Sequence, residues 1–210
     1  MQKINDKSLC VIAGASDIYK ERMPDLSHAY IIACDGGFGS LQKLGVLPDA
    51  VIGDFDSLGY IPSCDNITVL PTSKDDTDTF YAVKSAMDKG YRDFYFIGCT
   101  GGKRDEHTYA NISVMLYIVR RGGRAIMEGE RQMYQVISGP ATAVFFGERG
   151  YFSAFSLSEK SVGVCMRGFE YEMECGVLSY DVPLGVSNSF KNEKCEITIE
   201  KGELLLIWEK

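Results

Sequence analysis

Residues 50–56 read Ala-Val-Ile-Gly-Asp-Phe-Asp, a short apolar run that ends in a glycine and two acidic residues. Continuous apolar runs of this kind are typical of strands buried in a parallel sheet. In an extended segment, residues two positions apart point to the same side, so Asp54 and Asp56 are expected to face one point. Ligands of α/β domains bind outside the carboxyl ends of such strands, which is where these carboxylates lie.

Similar apolar runs surround this one and predict further strands at Leu9–Ala13, Tyr30–Cys34, Thr68–Leu70 and Phe94–Ile97. Between them, residues 80–87 carry apolar side chains at helical spacing, and Lys89-Gly90 predicts the end of that helix. Residues 109–119 carry a second apolar stripe of helical period. The alternation predicts an α/β, doubly wound (Rossmann-like) catalytic domain over residues 1–134.

The rest of the chain changes its period from helical to alternating. Cys195, Ile197 and Ile199 alternate with polar residues, and Lys201-Gly202 then turns the chain into a second apolar run. This pattern predicts an all-β sandwich over residues 135–210. Within it, Trp208 is expected to belong to the core rather than to form a platform for a ligand.

The charge composition argues against a nucleic-acid partner, and the type of acidic residue differs between the two halves of the chain. The net charge of −7 argues against a nucleic-acid-binding surface, which needs a basic face to neutralise phosphates. Residues 1–110 contain 14 Asp and 2 Glu, whereas residues 111–210 contain 1 Asp and 12 Glu. Because Asp is short and favours turns and strand ends, the first domain is where a carboxylate site is expected.

The sequence contains no apolar stretch long enough to span a bilayer; its longest uninterrupted runs are Val114–Val119 and the equally long Ala29–Cys34. We therefore expect no membrane partner. The 7 cysteines form no C-x-x-C pair, and only 2 histidines accompany them. Reduced thiols in a cytoplasmic protein account for this pattern better than a disulfide framework or a zinc site.

Acidic residues follow other predicted strands as well. Asp35 comes directly after Tyr30–Cys34, and the segment 75–78 carries three Asp residues where the first helix opens. One of Asp76, Thr77 or Asp78 is expected to cap that helix, which leaves carboxylates in need of another partner. Two carboxylates ~4 Å apart repel by about 4 kcal/mol at an effective dielectric constant of 20. A magnesium ion removes that repulsion, although a polar turn with capping carboxylates is the alternative.

A glycine-rich turn follows the strand Phe94–Ile97. A turn of this type, between a strand and a helix, can cradle phosphate through backbone N–H groups and nearby cations. It matches neither of the standard phosphate-loop patterns. The residues of this turn predicted to bind phosphate are Thr100, Gly101, Gly102, Lys103 and Arg104.

Taken in order, five motifs resemble those of thiamin pyrophosphokinase: CDGG at 34–37, GDFDS at 53–57, KDDTDT at 74–79, GGKRDEH at 101–107 with Asn111, and PLGVSN at 183–188. The resemblance covers nearly the whole chain. It implies an α/β catalytic domain followed by a β-sandwich, and a homodimer with thiamine sites between the subunits. The implied reaction transfers diphosphate from ATP to the hydroxyl of thiamine and releases AMP.

The resemblance also implies roles for individual residues. It places magnesium on Asp54, Asp56 and Asp78, and these three are expected to be essential for turnover. It places Asp35 beside the reacting phosphates and the thiamine hydroxyl. Lys74 and Arg104 match positions that contact ATP, with Arg104 assisting catalysis. The turn that binds thiamine contains Ser187 and Asn188.

One departure from the family pattern affects the last ATP-binding positions. The family usually has R-x-D-H, whereas residues 104–107 read Arg-Asp-Glu-His. Either Asp105 or Glu106 therefore takes the role of the usual Asp. His107 either contacts ATP or caps the helix that begins there. Two other function classes fit parts of the sequence: a glycosyl- or nucleotidyltransferase, and a sensor that binds nucleotide or thiamine without turnover.

Overall fold

The computed structural model describes residues 8–20, 23–56, 58–73, 75–102 and 105–210. The chain divides into two compact units, Met1–Glu130 and Arg131–Lys210. The boundary predicted between residues 134 and 135 falls inside a strand that runs from Gln132 to Ser138, so the division lies four residues earlier than expected. Each unit is described separately below.

The first unit contains a parallel sheet with three helices. Its strands are β1 (Leu9–Ala13), β2 (Ala29–Cys34), β3 (Ala50–Gly53), β4 (Ile67–Val69), β5 (Asp93–Ile97) and β6 (Arg124–Glu128). Its helices are α1 (Gly37–Lys43), α2 (Asp78–Asp88) and α3 (Asp105–Val119). The strand order is β6-β5-β1-β2-β3-β4, and all five pairings are parallel. The five predicted strands are present, whereas the short helix α1 was not predicted.

The two faces of this sheet are both covered. Val11 and Ala13 of β1 pack with Leu41 of α1 in one buried cluster. Cys10 and Ile12 alternate with them along β1 and are also fully buried, so they point to the opposite face. The crossovers through α2 and α3 run in the opposite direction along the sheet to the one through α1, which places them on that second face by the right-handed rule. This is the predicted α/β class; the narrower Rossmann-like description remains a prediction.

Helix α1 begins in a very close contact with β1. A Cβ atom at Gly37 would lie 2.1 Å from the carbonyl oxygen of Ala13, a backbone atom that cannot move aside. Gly39, two residues further along the same helix, has only the end of the Leu58 side chain nearby, at 3.7 Å. The close approach therefore requires glycine at residue 37 and not at residue 39. It brings the start of α1 against the carboxyl end of the sheet.

The second unit consists of two antiparallel sheets. Its strands are β7 (Gln132–Ser138), β8 (Ala141–Phe146), β9 (Tyr151–Ser156), β10 (Lys160–Arg167), β11 (Met173–Ser179), β12 (Asn188–Ser189), β13 (Lys194–Ile199) and β14 (Glu203–Glu209). One sheet has the order β12-β9-β14-β7 and the other β11-β10-β13-β8. The rings of Phe145 in β8 and Trp208 in β14 lie 5.2 Å apart, so the sheets pack through aromatic residues. Trp208 belongs to this core, as predicted.

No helix in the described part of the chain is both long enough and apolar enough to span a lipid bilayer.

The two glycines of α1 give a matched test of the close contact. Gly37→Ala is expected to lower the free energy of unfolding by about 2 kcal/mol or more, because the new methyl group overlaps the Ala13 carbonyl. Gly39→Ala is expected to be neutral or to stabilise by up to about 1 kcal/mol, since alanine favours the helix. Urea unfolding of both variants checks this, and equal stabilities would contradict the assigned contact.

Candidate active site

Three carboxylates meet at the carboxyl edge of the parallel sheet. They belong to Asp35, Asp54 and Asp78, and one oxygen from each lies within 4.8 Å of the others. Asp35 follows β2, Asp54 follows β3, and Asp78 is the first residue of α2. Three segments far apart in sequence therefore contribute one carboxylate each to a half-buried acidic cluster.

The backbone around Gly53 places Asp35 next to Asp54. The Asp35 N–H donates to the carbonyl of Ile52 over 2.9 Å, and Asp35 has a positive φ of 45°. A Cβ atom on Gly53 would lie 3.0 Å from the Cα of Asp35 and 3.1 Å from its nitrogen. Because glycine lacks this atom, the ends of β2 and β3 can lie close enough for their acidic residues to meet.

The segment after β3 is not extended, which contradicts the expectation that Asp54 and Asp56 face one point. Phe55 has a φ of 59° and its ring is buried, so the backbone between the two acidic residues is not extended. Asp56 is exposed, and its backbone N–H donates to Oδ1 of Asp54 over 3.4 Å. Within the described residues, the acidic cluster consists of Asp35, Asp54 and Asp78, and the role of Asp56 as a metal ligand stays a prediction.

The start of α2 assigns separate tasks to its polar residues. Thr77 caps the helix, since its Oγ1 accepts a hydrogen bond from the Phe80 N–H over 3.1 Å. Asp76 pairs with Lys84, and this hydrogen bond raises the pKa of the Lys84 ammonium group. Asp78 lies in the first turn, where the positive end of the helix dipole favours a carboxylate. Of the three residues predicted as possible caps, Thr77 is the one that caps the helix, and Asp78 belongs to the acidic cluster.

The chemistry of the cluster fits a divalent cation. Carboxylate pairs ~4–5 Å apart repel by about 3–4 kcal/mol at an effective dielectric constant of 20. The Oδ1 atom of Asp35 is buried and has no hydrogen-bond partner among the described residues. A group of hard oxygen ligands that includes a buried oxygen of this kind is a suitable environment for magnesium.

The cysteines beside the cluster do not change this assignment. Burial raises the pKa of the Cys34 thiol well above its usual value and the pKa of the Cys99 thiol to about 12. Neither thiol belongs to the group of side chains close enough to share one ion, which among the described residues contains carboxylates only.

The glycine-rich turn after β5 is fixed by α3 and by the loop after β1. The Gly101 N–H donates to Oγ1 of Thr108 over 3.0 Å, and Nδ2 of Asn111 donates to the Cys99 carbonyl over 2.8 Å. The Ser16 N–H donates to the Gly98 carbonyl over 2.9 Å. The turn therefore has a defined shape, with positive φ at Gly98, Gly101 and Gly102.

The structure assigns some of the predicted ATP-binding groups to internal contacts. Oγ1 of Thr100 donates to the Glu128 carbonyl over 3.4 Å, and the Gly101 N–H is the donor to Thr108 described above. The first turn of α3 exposes Asp105, Glu106 and His107. The other predicted residues of this group lie outside the described residues; they are Lys74, Lys103 and Arg104.

The predicted thiamine-binding turn lies in the second unit. Ser187 is exposed, has a φ of 59°, and donates its backbone N–H to Oγ of Ser153 over 3.1 Å. Asn188 is buried; its Oδ1 accepts from the Tyr171 N–H over 2.9 Å, and its Nδ2 donates to the Tyr171 carbonyl over 2.7 Å. The amide of Asn188 therefore ties two loops together, whereas Ser187 presents its side chain at the surface.

Two family models match the chain. Residues 26–127 match the model described as "Thiamin pyrophosphokinase, catalytic domain", and residues 143–204 match "Thiamin pyrophosphokinase, vitamin B1 binding domain". Together these domains of one family account for more than half of the sequence. The chain belongs to the thiamin pyrophosphokinase family. The resemblance found in the motifs is confirmed, and so is the prediction that the chain is a thiamine diphosphokinase.

Relatives of known name match over almost their whole length. The thiamine pyrophosphokinase of Bacillus subtilis (strain 168) is 24% identical over 213 residues, which cover 96% of this chain and 98% of the relative. Crystal structures of thiamin pyrophosphokinases from Bacillus subtilis and Geobacillus thermodenitrificans, each 23% identical, have TM-scores of 0.81 and 0.77 and cover 96% of this chain. The same alignments cover 98% and 97% of the chains in those two crystal structures. At these identities the structural likeness establishes the fold.

Several residues that shape the candidate site were not predicted from the sequence. Ser16 contacts the glycine-rich turn, Gly53 admits Asp35, and Thr108 accepts from the Gly101 N–H. Two of these residues have a recognisable place in the sequence: Gly53 ends a predicted strand, and Ser16 lies shortly after another. Thr108 has no such place, since a threonine in the first turns of a helix is ordinary.

The acidic cluster predicts a stabilisation that depends on magnesium. Binding to the folded state alone stabilises by about 2.7 kcal/mol at a metal concentration one hundred times the dissociation constant. Asp35→Asn, Asp54→Asn and Asp78→Asn are each expected to remove most of this gain in melting temperature. Asp75→Asn is the control, because Asp75 is an exposed neighbour outside the cluster. Gains in the three cluster variants as large as in the wild type would contradict the metal assignment.

Proposed function

We propose that this chain transfers a diphosphate group from ATP to the hydroxyl of thiamine and releases thiamine diphosphate and AMP. Family membership supports an enzyme that forms thiamine diphosphate from thiamine. The identity of the donor and the mechanism are our proposal. The observation that carries them is the acidic cluster of Asp35, Asp54 and Asp78 at the same sheet edge as the glycine-rich turn.

The proposed metal ligands are Asp54 and Asp78, with magnesium as the ion. When bound, magnesium neutralises charge on the phosphate oxygens that it contacts and so favours attack on phosphorus. We keep Asp56 in the proposed ligand set, because it lies two residues after Asp54 and its backbone N–H donates to the Asp54 carboxylate. The cluster geometry adds Asp35 as a neighbour of the same site.

We assign Asp35 to the acceptor hydroxyl. Its buried Oδ1, which has no hydrogen-bond partner among the described residues, can accept the proton of the thiamine hydroxyl. The hydroxyl oxygen then forms a bond to the β-phosphorus while the bond from that phosphorus to the oxygen of AMP breaks in line. Asp35 thus takes the proton, thiamine takes the diphosphate and AMP leaves. In this proposal Asp35 both orients and deprotonates the acceptor hydroxyl.

The glycine-rich turn is proposed to hold the phosphates of ATP. Gly101 and Gly102 leave the backbone accessible, and the turn is fixed by its contacts with α3. The sequence adds positive charge to the same region through Lys74, Lys103 and Arg104. With a net charge of −7 the chain as a whole repels ATP, so local cations are needed to bind it. Thr100, Glu106 and His107 complete the proposed ATP site.

We further propose a homodimer that binds thiamine through the turn containing Ser187 and Asn188. The second unit exposes large apolar side chains near this turn in sequence, among them Leu184 and Val186, which supports an interface with a second copy. Asn188 contributes by fixing the turn through its buried amide. The proposal of a cytoplasmic location rests on the cysteines, which are all free thiols.

The dimer is tested by light scattering on the purified full-length chain. The expected molar mass is twice the 23.3 kDa of one chain over the concentrations used for assays. Leu184→Ser is expected to lower the dimer fraction, since it removes an exposed apolar contact. A monomer with full activity at those concentrations would contradict the homodimer.

The reaction is tested by its products. With ATP, magnesium and thiamine, the enzyme is expected to release AMP and thiamine diphosphate in equal amounts, because the bond broken lies between the α- and β-phosphates. Chelation of magnesium is expected to abolish turnover. Phosphorus NMR with chromatography of the nucleotides distinguishes the products. ADP in place of AMP, or binding of both substrates without any product, would contradict the proposed transfer.

A further inference from the structure

The second unit brings two cysteines together on neighbouring strands. Cys165 lies in β10 and Cys175 in β11, and the two strands pair antiparallel. Val164 pairs with Gly176 and Met166 with Met173. One residue of β10, Cys165, therefore stands opposite two residues of β11, Glu174 and Cys175. The two cysteines therefore lie on neighbouring strands at an irregularity of the pairing. Disulfide-bonded cysteines have Cα atoms about 4.4–6.8 Å apart, a spacing that neighbouring strands can supply.

The backbone at this irregular pairing directs Cys175 towards Cys165. Cys175 has a φ of 49°, and its N–H donates to Sγ of Cys165 over 3.4 Å. This contact between the backbone of Cys175 and the sulfur of Cys165, on adjacent strands, meets the first requirement for a bond between the two sulfur atoms.

The surroundings make Cys165 the more reactive of the two thiols. Hydrogen bonds from the Cys175 N–H and from Thr198 lower the pKa of Cys165, and the positive charge of Arg167 acts in the same direction. The hydrogen bond with Cys165 raises the pKa of Cys175. A thiolate attacks disulfides whereas a thiol does not, so Cys165 has the character of an attacking group and Cys175 that of a resolving group.

Both sulfur atoms are accessible to a small molecule. Cys165 lines an open groove of about 480 Å³ together with Thr198 and Glu200, and Cys175 is exposed. Among the other five cysteines, Cys64 is half-buried and the remaining four are buried. No second pair of accessible cysteines occurs within the described residues.

We propose that Cys165 and Cys175 form a dithiol site that takes low-molecular-weight disulfides, such as oxidised glutathione, and closes to an intramolecular disulfide. In the first step the Cys165 thiolate attacks one sulfur of the small disulfide, forms a mixed disulfide and releases one thiolate. In the second step the Cys175 sulfur attacks the Cys165 sulfur, releases the second small thiol and loses its proton to solvent or to the first thiolate. Two protein thiols are oxidised and one small disulfide is reduced to two thiols.

The proposal is tested on the full chain by peptide mapping after incubation with oxidised glutathione. Cleavage by trypsin after Lys160, Arg167 and Lys191 places Cys165 and Cys175 on different peptides, so their disulfide is seen as a linked pair. The expected result is loss of two free thiols and a mass lower by two hydrogen atoms, reversed by a thiol reductant. A stable single adduct, a linkage that involves Cys64, or no reaction of either thiol would overturn the proposal.

Variants assign the order of the steps. Cys175→Ser is expected to accumulate one glutathione adduct on Cys165, because the resolving thiol is gone. Cys165→Ser is expected to react many times more slowly at Cys175, and Cys64→Ser to behave as the wild type. Faster adduct formation on Cys175 than on Cys165 would overturn the assigned roles. Initial rates of iodoacetamide labelling in the wild type give the same comparison without any substitution.

Discussion

The close backbone contact between Gly53 and Asp35 is the constraint on which the candidate active site depends. A side chain on Gly53 would press on the Cα and nitrogen of Asp35, so any larger residue there would require the ends of β2 and β3 to move apart by a few tenths of an ångström. The start of α1 imposes a second contact of the same kind, between Gly37 and the carbonyl of Ala13. Both contacts lie at the carboxyl edge of the sheet, and they place Asp35 where Asp54 and Asp78 can reach it.

The short distances between the three carboxylates cause electrostatic repulsion, and the fold offsets only part of it. Three carboxylates within 4.8 Å repel one another, and the N-terminus of α2 offsets some of that repulsion at Asp78. The cap of this helix is Thr77 rather than Asp78. We propose that a divalent cation provides the remaining compensation and so favours binding of the phosphates of a nucleotide.

The fold and the family could be predicted from the sequence, whereas the membership of the acidic cluster could not be predicted in full. Apolar runs ending in glycine or aspartate marked the strands of the first unit, and alternation marked those of the second. The extended backbone expected between Asp54 and Asp56 is absent, because Phe55, whose ring is buried, has a positive φ. Such a conformation depends on tertiary packing and has no local sequence signal.

The central claim is that the carboxylates of Asp35, Asp54 and Asp78 surround a divalent cation. Anomalous diffraction from crystals grown with Mn²⁺ and a non-hydrolysable ATP analogue tests this most directly, because the anomalous signal locates the ion without reference to the protein. The predicted result is a peak within bonding distance of Asp54 and Asp78 and beside Asp35. A peak elsewhere, such as at Asp105 and Glu106, or the absence of any peak at saturating Mn²⁺, would contradict the account.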